Sequence, residues 1–490
     1  MELKKILSGL EGLKAKGNLE LDIKSIESDS RKIGKNSMFV AIKGFDTDGH
    51  EYINDAIKKK GAVAIMVEEG TDLKKLKIPE DVTVIVAPNT RYSLAISASN
   101  FYKNPSKKFK IIGVTGTKGK TTTTFMIKSI LEKQGKKVGL IGTIAKYIGD
   151  KKIEDSERTT PDSLELQKLF YDMAKEKVDV VVMEVSSQSL KLDRVAGLEF
   201  EIGIFTNFLR DHISPKEHPD MEDYFASKVK MFNMCKKAYI NADDVQIQKL
   251  KKMDLPCELK TYGIDNPCNV LAKDITVTSA SVDFKIRIGE KNERVKAGIP
   301  GRFSVYNSLA AISVATELGC NAETIKEALL EVRVPGRSEL VENKKELTIM
   351  IDYAHSPESL ESILTAVKAY TRGRLISVFG CGGDRDSTKR PIMGEISGRI
   401  ADFTVITSDN PRTENPDEII KSIEKGMKKA KGKYVCIENR REAIKHAIKM
   451  ANKTDVIVLA GKGHEPYQEI NGVKHDFDER VIVKEIIEEL

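Results

Sequence analysis

Short apolar runs that each end in a polar or glycine-rich cluster recur along this chain, and they constrain its fold more than any other feature. Ile111-Ile112-Gly113-Val114 leads into Thr115-Gly116-Thr117-Lys118-Gly119-Lys120-Thr121, and Val180-Val181-Val182-Met183 into Glu184-Val185-Ser186-Ser187. The run 201–206 leads into Asn207 to His212. Later clusters are Asp352-Tyr353-Ala354-His355, Gly380 to Asp384, Asp409-Asn410-Pro411-Arg412 and Gly461-Lys462-Gly463-His464-Glu465. Between the runs lie stretches with helical spacing, such as Phe125, Ile127, Ile130 and Leu131. Strands alternating with helices predict βαβ units and parallel sheets, an α/β fold. In such sheets ligands bind outside the carboxyl ends of the strands. Two sheets facing each other would make one shared cleft, so the pattern favours an enzyme with several substrates over a scaffold.

At roughly 100–200 residues per domain, 490 residues predict about three domains. Residues 1–107 carry apolar runs such as 37–42 and 62–67, and Lys103 to Lys108 reads as a linker. Residues 108–333 hold the glycine loop, with strands at 178–185 and 201–206 and an antiparallel hairpin at 282–288 and 295–299 on the edge. Residues 334–490 alternate strands at 347–351, 374–379, 403–407 and 455–460 with helices near 358–370, 417–430 and 440–451.

Composition narrows the class. The excess of 80 Lys+Arg over 73 Asp+Glu gives +7 within 31% charged residues, and the signs are interleaved, which suits anionic small molecules at least as well as nucleic acid. Hydrophobic residues, at 40%, suffice for buried cores. Six scattered cysteines without a C-x-x-C pair indicate neither a zinc site nor a disulfide framework. The charged start Met1-Glu2-Leu3-Lys4-Lys5, and the lack of any apolar run near ~18 residues, predict a soluble, cytoplasmic chain without membrane insertion.

The glycine loop is the sharpest chemical signal. Small residues between strand and helix let backbone N–H groups approach phosphate oxygens at a helix N-terminus. Lys120 would reach the outer phosphates and the Thr121 hydroxyl could bind Mg²⁺. The loop is a short variant, because Val114 stands where a P-loop has its first glycine. Glu184 fits a metal ligand and a helix-cap or salt-bridge residue equally. His212 alone reads as a loop histidine, and Lys228 as a solvated helix lysine, since Mg²⁺ prefers oxygen to an amine. Arg412 fits an exposed turn residue and a fork for a carboxylate equally. Cys381, without a nearby His, is not a nucleophile.

Taken together these residues resemble the Mur ligases, the ATP-dependent amide-forming enzymes of peptidoglycan precursor synthesis. Gly116-Thr117-Lys118-Gly119-Lys120-Thr121-Thr122 looks like their ATP loop, and Gly301 to Ala311 resembles a segment whose Asn, here Asn307, contacts the nucleotide. Val334-Pro335-Gly336-Arg337 and Asp352-Tyr353-Ala354-His355 match nucleotide contacts, with Arg337 and Asp352 the residues implied. The resemblance runs from Ser28 to the C-terminus. It implies an N-terminal uridine-binding α/β domain, a central P-loop-type parallel-sheet ATPase domain and a C-terminal Rossmann-like domain.

The resemblance also implies ligands. Asp29-Ser30-Arg31 and Gly44 to His50 look like the uridine site, with Ser30 a contact, and Thr159, Thr160, Ser186 and Arg194 like contacts to a UDP-muramoyl dipeptide. Asp409, Asn410, Pro411 and Arg412 resemble the signature of members that add meso-diaminopimelate, together with Arg385, Gly461 and Glu465. Lys228 matches a lysine carbamylated in the family, which overturns its solvated reading. That carbamate would complete a site for a second Mg²⁺ with Glu184 and His212. Substrates would be ATP, UDP-N-acetylmuramoyl-L-Ala-D-Glu and diaminopimelate, handled by a monomer that binds no nucleic acid. Catalysis would fall to Lys120, Lys228 and His212. Two departures stand out. Gln188 replaces the family's histidine after Ser186-Ser187, and the stretch from Ile213 to His218 differs from the usual D-H-L-D-Y-H. A lysine-adding member, a folate polyglutamate synthase and a P-loop ATPase switch are the competing readings. The first lacks a use for Arg412, the second for the uridine motifs, and the third for Asn307 and Arg412.

Overall fold

Burial on both faces turns the apolar runs into parallel strands, because only strands covered on each side by helices tolerate continuous hydrophobic sequence. A computed structural model describes residues 1–45, 47–59, 61–214 and 217–490. Asp46 in the Gly44 to His50 segment, and Pro215 and Lys216 after His212, lie outside the described residues. The chain divides into two units, residues 1–269 with 313–318 and residues 270–312 with 319–490.

The first unit contains two sheets. A five-stranded sheet runs in the order Lys14–Lys16, Thr83–Ala87, Ala62–Glu68, Ser37–Val40, Ser25–Glu27, with only its first strand antiparallel. The expected linker is a short 3₁₀ turn, Pro105–Lys108, entered through left-handed Lys103 and Asn104. A larger sheet then orders Glu258–Gly263, Cys235–Asn241, Phe200–Phe205, Lys110–Thr115, Val180–Glu184 and Val138–Ile141 in parallel. Ala145–Ile148 and Lys151–Asp155 extend it antiparallel. Phe170, Met173, Phe200, Phe205 and Phe232 share one core cluster beneath it.

Register decides where the loops emerge. Glu184 lies opposite Val114 and Phe205 opposite Thr115, so the loops after these three strands leave the sheet side by side.

In the second unit a six-stranded sheet orders Glu339–Leu340, Thr348–Asp352, Val456–Ala460, Leu375–Phe379, Phe403–Ile406 and Tyr434–Cys436, with only the first strand antiparallel. Helices Pro357–Lys368, Lys389–Ile400 and Pro416–Ala430 cover one face through Leu360, Met393, Ile423 and Met427. Arg440–Met450 and Glu479–Glu489 cover the other through Ile444, Ile448, Val483 and Ile486. Local sequence starts these helices. Ser356 and Asn415 accept backbone N–H groups as N-caps ahead of Pro357 and Pro416, whose fixed φ suits the first helical position. The antiparallel hairpin expected on the edge of the central region is present, as part of a separate antiparallel sheet, Lys273–Val277, Val282–Ile288 and Lys291–Ala297, which groups with the second unit. Its alternating burial shows one face packed and one wet, which needs no parallel neighbour.

Glu317 ties three elements of the first unit together. It accepts from Lys237 Nζ at 2.5 Å, Lys260 Nζ at 2.7 Å and Tyr239 Oη at 2.6 Å. Burial alone would raise its pKa, but these donors outweigh it and bring the carboxyl down to about 2. A folded-state pKa below the unfolded one gives stability that is present above about pH 4.3 and lost as pH falls towards about 2. Glu317→Gln should therefore cost about 2–3 kcal/mol at pH 7 and about 1 kcal/mol or less at pH 2.5. Denaturant unfolding at the two pH values checks this; an equal cost at both would refute the ionic origin.

Candidate functional site

The glycine loop is held open by contact with the next strand's loop. Gly116 has φ +142°, and a Cβ there would lie 1.9 Å from Thr206 Oγ1, so only glycine fits. Thr117 N–H donates to Asn207 O at 2.9 Å, Lys118 N–H to Asn207 Oδ1 at 2.8 Å, and Leu209 N–H to Thr117 Oγ1 at 3.0 Å. Gly119, left-handed, caps the helix Lys120–Lys133 with no side chain of its own. Thr121 and Thr122 are buried in that helix's first turn, which carries no acidic residue to compete with an anion. Lys118 Nζ pairs with Asp211 at 2.9 Å. Burial pushes Asp211 upward, but Lys118 and His212 dominate and hold its carboxyl down at about 2.

Two lysine amines converge on one oxygen in this loop. Lys120 Nζ donates to Gly116 O at 2.8 Å and to Thr117 O at 3.0 Å, and Lys228 Nζ donates to Gly116 O at 2.9 Å. Lys228 sits on the helix Met221–Val229, is 1% exposed, and lies 4.5 Å from the Tyr224 ring centre. Burial first, and then repulsion from Lys120, push its pKa well below the ordinary lysine value. The structure thus rules out the solvated-lysine reading, and burial with the Lys120 charge favours the neutral amine over the ammonium at the phosphate loop.

A second network lies one strand away. Glu184, buried at its strand end, accepts from Thr143 N–H at 2.8 Å and Thr143 Oγ1 at 3.0 Å. Thr143 Oγ1 is also 3.1 Å from Thr159 Oγ1. Thr160 Oγ1 donates to Glu184 O at 2.9 Å and accepts from Ser186 N–H at 3.1 Å, and Arg194 Nη1 donates to Thr160 O at 3.3 Å. Glu184, Thr159, Thr160, Ser186 and Arg194 are therefore one hydrogen-bonded group. His212 lies apart from it: its backbone is left-handed and its exposed ring meets Glu217 at 3.1 Å. The buried histidine is His218, whose Nδ1 lies 2.6 Å from Asp223 and Nε2 2.9 Å from Ser187.

Among the described residues no three His, Cys, Asp or Glu side chains gather as a metal site. The oxygen donors at the strand ends, Thr121 and Glu184, suit Mg²⁺, and a carbamate on Lys228 would add the anionic oxygens a hard cation prefers. The residues fit the ion on that condition.

In the five-stranded part of the unit, a cleft of about 330 Å³ is lined by Lys43, Gly44, Phe45, Thr90 and Arg91, among others. Phe45 is 53% exposed, an aromatic face open to a planar ligand. Ser30 begins a 3₁₀ turn capped by Asp29, whose carboxylate also holds Arg31.

The second unit gathers the other expected residues at its own strand ends. Asn410 is the hub: its Oδ1 accepts from Lys462 Nζ at 3.0 Å and Glu469 N–H at 2.9 Å, while Nδ2 donates to Glu465 Oε2 at 2.8 Å. Burial, and after it Asp409, raises the Glu465 pKa despite Lys462 nearby. Arg412 has a left-handed backbone; its Nε donates to Glu469 Oε2 at 3.1 Å and its Nη1 to Gly383 O at 2.7 Å. It is not the exposed, unattached turn residue that was one expectation. A Cβ built on Gly382 would lie 3.1 Å from Arg412 Nη1 and 3.9 Å from Arg385 Cγ, so the two arginines flank that glycine. Gly383 approaches Pro411 so closely that a Cβ would fall 1.9 Å from Pro411 O, and a Cβ on Gly461 would fall 2.4 Å from Asp409 Oδ2. Arg337 lies over the Tyr353 ring at 4.6 Å, and Asp352 accepts from Ser338 N–H at 2.8 Å. Asn307 is buried within the helix Arg302–Glu317. Cys381 is buried, and desolvation pushes its thiol up to about 12, so it is no nucleophile.

Several participants carry no linear signal. Thr143 and Tyr224 sit in ordinary loop or helix contexts, and Glu469 lies beyond the last glycine cluster. Lys462 stands inside that cluster, yet only packing shows it fully buried on Asn410.

The Asn410 hub makes a prediction. Asn410→Asp would set a carboxylate against Glu465, and like charges at that distance raise each other's pKa. The pair is tolerated when protonated and repels as pH rises above the ordinary carboxylate range. The variant should therefore lose about 1–3 kcal/mol at pH 8 and distinctly less at pH 5, read by thermal unfolding. A loss independent of pH would refute the contact.

Three family profiles match the chain: Mur ligase family, catalytic domain over residues 22–111, Mur ligase middle domain over 114–315, and Mur ligase, glutamate ligase domain over 336–463. UDP-N-acetylmuramoyl-L-alanyl-D-glutamate–2,6-diaminopimelate ligase 1 of Clostridium acetobutylicum is 48% identical over 493 residues, covering 100% of both chains. The ligase of that name from Caldanaerobacter subterraneus subsp. tengcongensis is 49% identical over 490 residues, covering 100% of this chain and 99% of its own. A solved structure of a UDP-N-acetylmuramoyl-L-alanyl-D-glutamate–2,6-diaminopimelate ligase superposes with TM-score 0.72 at 29% identity, covering 100% of this chain and 99% of the other.

Proposed function

The chain belongs to the Mur ligase family, and on that premise we propose that it joins meso-2,6-diaminopimelate to the D-Glu γ-carboxylate of UDP-N-acetylmuramoyl-L-Ala-D-Glu. It is an ATP-dependent, ADP-forming amide ligase of peptidoglycan precursor synthesis. In this reading residues 1–107 bind the UDP-muramoyl end, 108–333 bind ATP, and 334–490 bind the incoming amino acid. The cleft at Lys43 to Phe45 and Arg91 would take the uridine nucleotide. Thr159, Thr160, Ser186 and Arg194 would hold the dipeptide beside Glu184. No helix among the described residues is long and apolar enough to cross a membrane, and the reading takes the reaction to be cytoplasmic.

The observation that carries the choice of amino acid is the pair of arginines at Gly382, with Glu465 and Asp409 close to Arg412 in sequence or fold. Guanidinium groups bind carboxylates with two aligned donors, and the carboxylates suit an ammonium group. Diaminopimelate carries both groups at its far end, whereas L-lysine lacks the second carboxylate and would leave Arg412 without its partner.

The chemistry is phosphoryl transfer followed by acyl transfer. The N-terminus of the helix Lys120–Lys133 and the Lys120 side chain would hold the ATP phosphates in line with the D-Glu carboxylate. That carboxylate takes the γ-phosphoryl group, giving an acyl phosphate and ADP. The diaminopimelate amine then attacks the acyl carbon, and inorganic phosphate leaves. Thr121 would hold one Mg²⁺ and Glu184 with a carbamate on Lys228 a second, both neutralising phosphate charge; His212, exposed and apart from Glu184, would join them only by turning inward. Lys228 is suited to carbamylation, because burial and the Lys120 charge favour its neutral amine, the form that attacks CO₂ and releases a proton as the carbamate forms. Exclusion of water matters, since the acyl phosphate otherwise hydrolyses.

Phosphate release from ATP should require UDP-N-acetylmuramoyl-L-Ala-D-Glu and meso-diaminopimelate together, with the tripeptide product seen by mass. Product with L-lysine at equal kcat/KM would keep the ligase and discard the amino-acid assignment; no substrate-dependent release would overturn the reading. Lys228→Ala should lose at least about 100-fold in kcat and recover partly with a short-chain carboxylic acid that replaces the carbamate. Wild-type activity in Lys228→Ala would remove Lys228 from the site.

A further inference from the structure

The segment Tyr467–Ile470 pairs with Val473–Asp476 as a two-stranded hairpin apart from the main sheet of the second unit. It is docked on residues 409–412 by bonds that all run through named atoms. Gln468 Nε2 donates to Asp409 O at 2.7 Å, Glu469 N–H to Asn410 Oδ1 at 2.9 Å, and Arg412 N–H to Glu469 O at 3.0 Å. Asn471 N–H then donates to Arg412 O at 2.7 Å. Within this frame Glu469 contacts the arginine twice, by its carbonyl at the backbone and by its carboxylate at Nε. Gly383 O takes Nη1. Among the described residues Nη2 has no hydrogen-bond acceptor, so the guanidinium is held on its two sides, at Nε and Nη1, while the Nη2 donors are left over.

Charge points the same way. Arg385 is exposed and lies with Arg412 around Gly382, and Glu469, at 25% side-chain exposure, is the carboxylate salt-bridged to Arg412. Without it, a guanidinium on a left-handed turn residue has several side-chain rotamers and one remaining anchor, Gly383 O. A carboxylate on Nε removes that freedom before any ligand arrives, which is how a fork gains selectivity for a planar anion.

We propose that Glu469 is the specificity-setting positioning residue of the amino-acid site: it orients the Arg412 guanidinium so that its free donors meet the distal carboxylate of the incoming amino acid. The proposal rests on the reading of Arg412 given above. Glu469 touches no substrate; it acts through Arg412 alone.

The test is a double-mutant cycle in the full-length enzyme with steady-state kinetics on meso-diaminopimelate. Glu469→Ala should raise the KM for diaminopimelate about tenfold or more, with kcat, and the KM values for ATP and the UDP-dipeptide, within about twofold of wild type. Glu469→Gln keeps an acceptor for Nε in nearly the same shape and should fall between the two. In an Arg412→Ala background, Glu469→Ala should add no further loss, because its target is gone. Additive losses in the cycle, or an unchanged diaminopimelate KM in Glu469→Ala, would overturn the proposal. So would a parallel rise in all three KM values, which marks a merely structural role. Should the alanine variant fail to fold, Glu469→Gln carries the same comparison. If Arg412→Ala itself leaves the diaminopimelate KM and the discrimination against lysine intact, the Arg412 reading fails. If Arg412→Ala loses both while Glu469→Ala and Glu469→Gln do not, only the Glu469 proposal fails.

Discussion

Parallel pairing in register brings Thr115, Glu184 and Phe205 to one edge of the central sheet, and Asp352, Phe379, Ile406 and Ala460 to one edge of the C-terminal sheet. The phosphate loop, the Glu184 network and the Asn410 hub all hang on those strand ends. A parallel strand must return through a crossover on the sheet face, so all carboxyl-end loops emerge on the same side. Apolar side chains on both faces lock the register, because a slip by one residue would exchange the two faces of each strand.

The two units use burial in opposite ways. At the glycine loop, burial and the cation Lys120 both lower the Lys228 pKa and so favour its neutral amine. In the C-terminal unit, burial raises Glu465 and lowers Lys462, and Asn410 bonds to both, so charge there is softened by a neutral amide. Arg440 shows the structural counterpart. Fully buried, it donates to Glu479, to Ser408 O and to Ala460 O, and thereby ties two strand ends to the C-terminal helix. A paired and hydrogen-bonded charge of this kind is costly to break on one side only.

Much of the fold is legible in the linear pattern. The strands at 178–185, 374–379, 403–407 and 455–460 and the helices at 121–134, 417–430 and 440–451 lie within a few residues of the observed ones, since apolar runs and caps are local signals. The 282–299 hairpin shows the limit: its alternation gives antiparallel strands correctly but says nothing of which sheet they join. The phosphate loop is equally readable, because Gly116, Lys120 and Thr121 must stand at fixed spacing. Lys228 is not. On its own helix it looks like any solvated lysine, and only the approach of Gly116 O buries it. The same holds for His218, which packs on Ser187 and Asp223 while His212, the histidine with the better motif, faces solvent.

By itself the sequence determined the parallel α/β plan, the phosphate loop and the family resemblance, since periodicity, glycine placement and motif order are properties of neighbouring residues. Tertiary structure alone decided which groups meet: Lys228 joins Lys120 on Gly116 O, Glu184 and Thr159 meet on Thr143, and Glu469 and Gly383 on Arg412. Apart from Lys120, four positions from Gly116, these contacts join residues 16 to 112 positions apart. Their protonation and orientation depend on desolvation and on neighbouring charge, which exist only once the chain has packed.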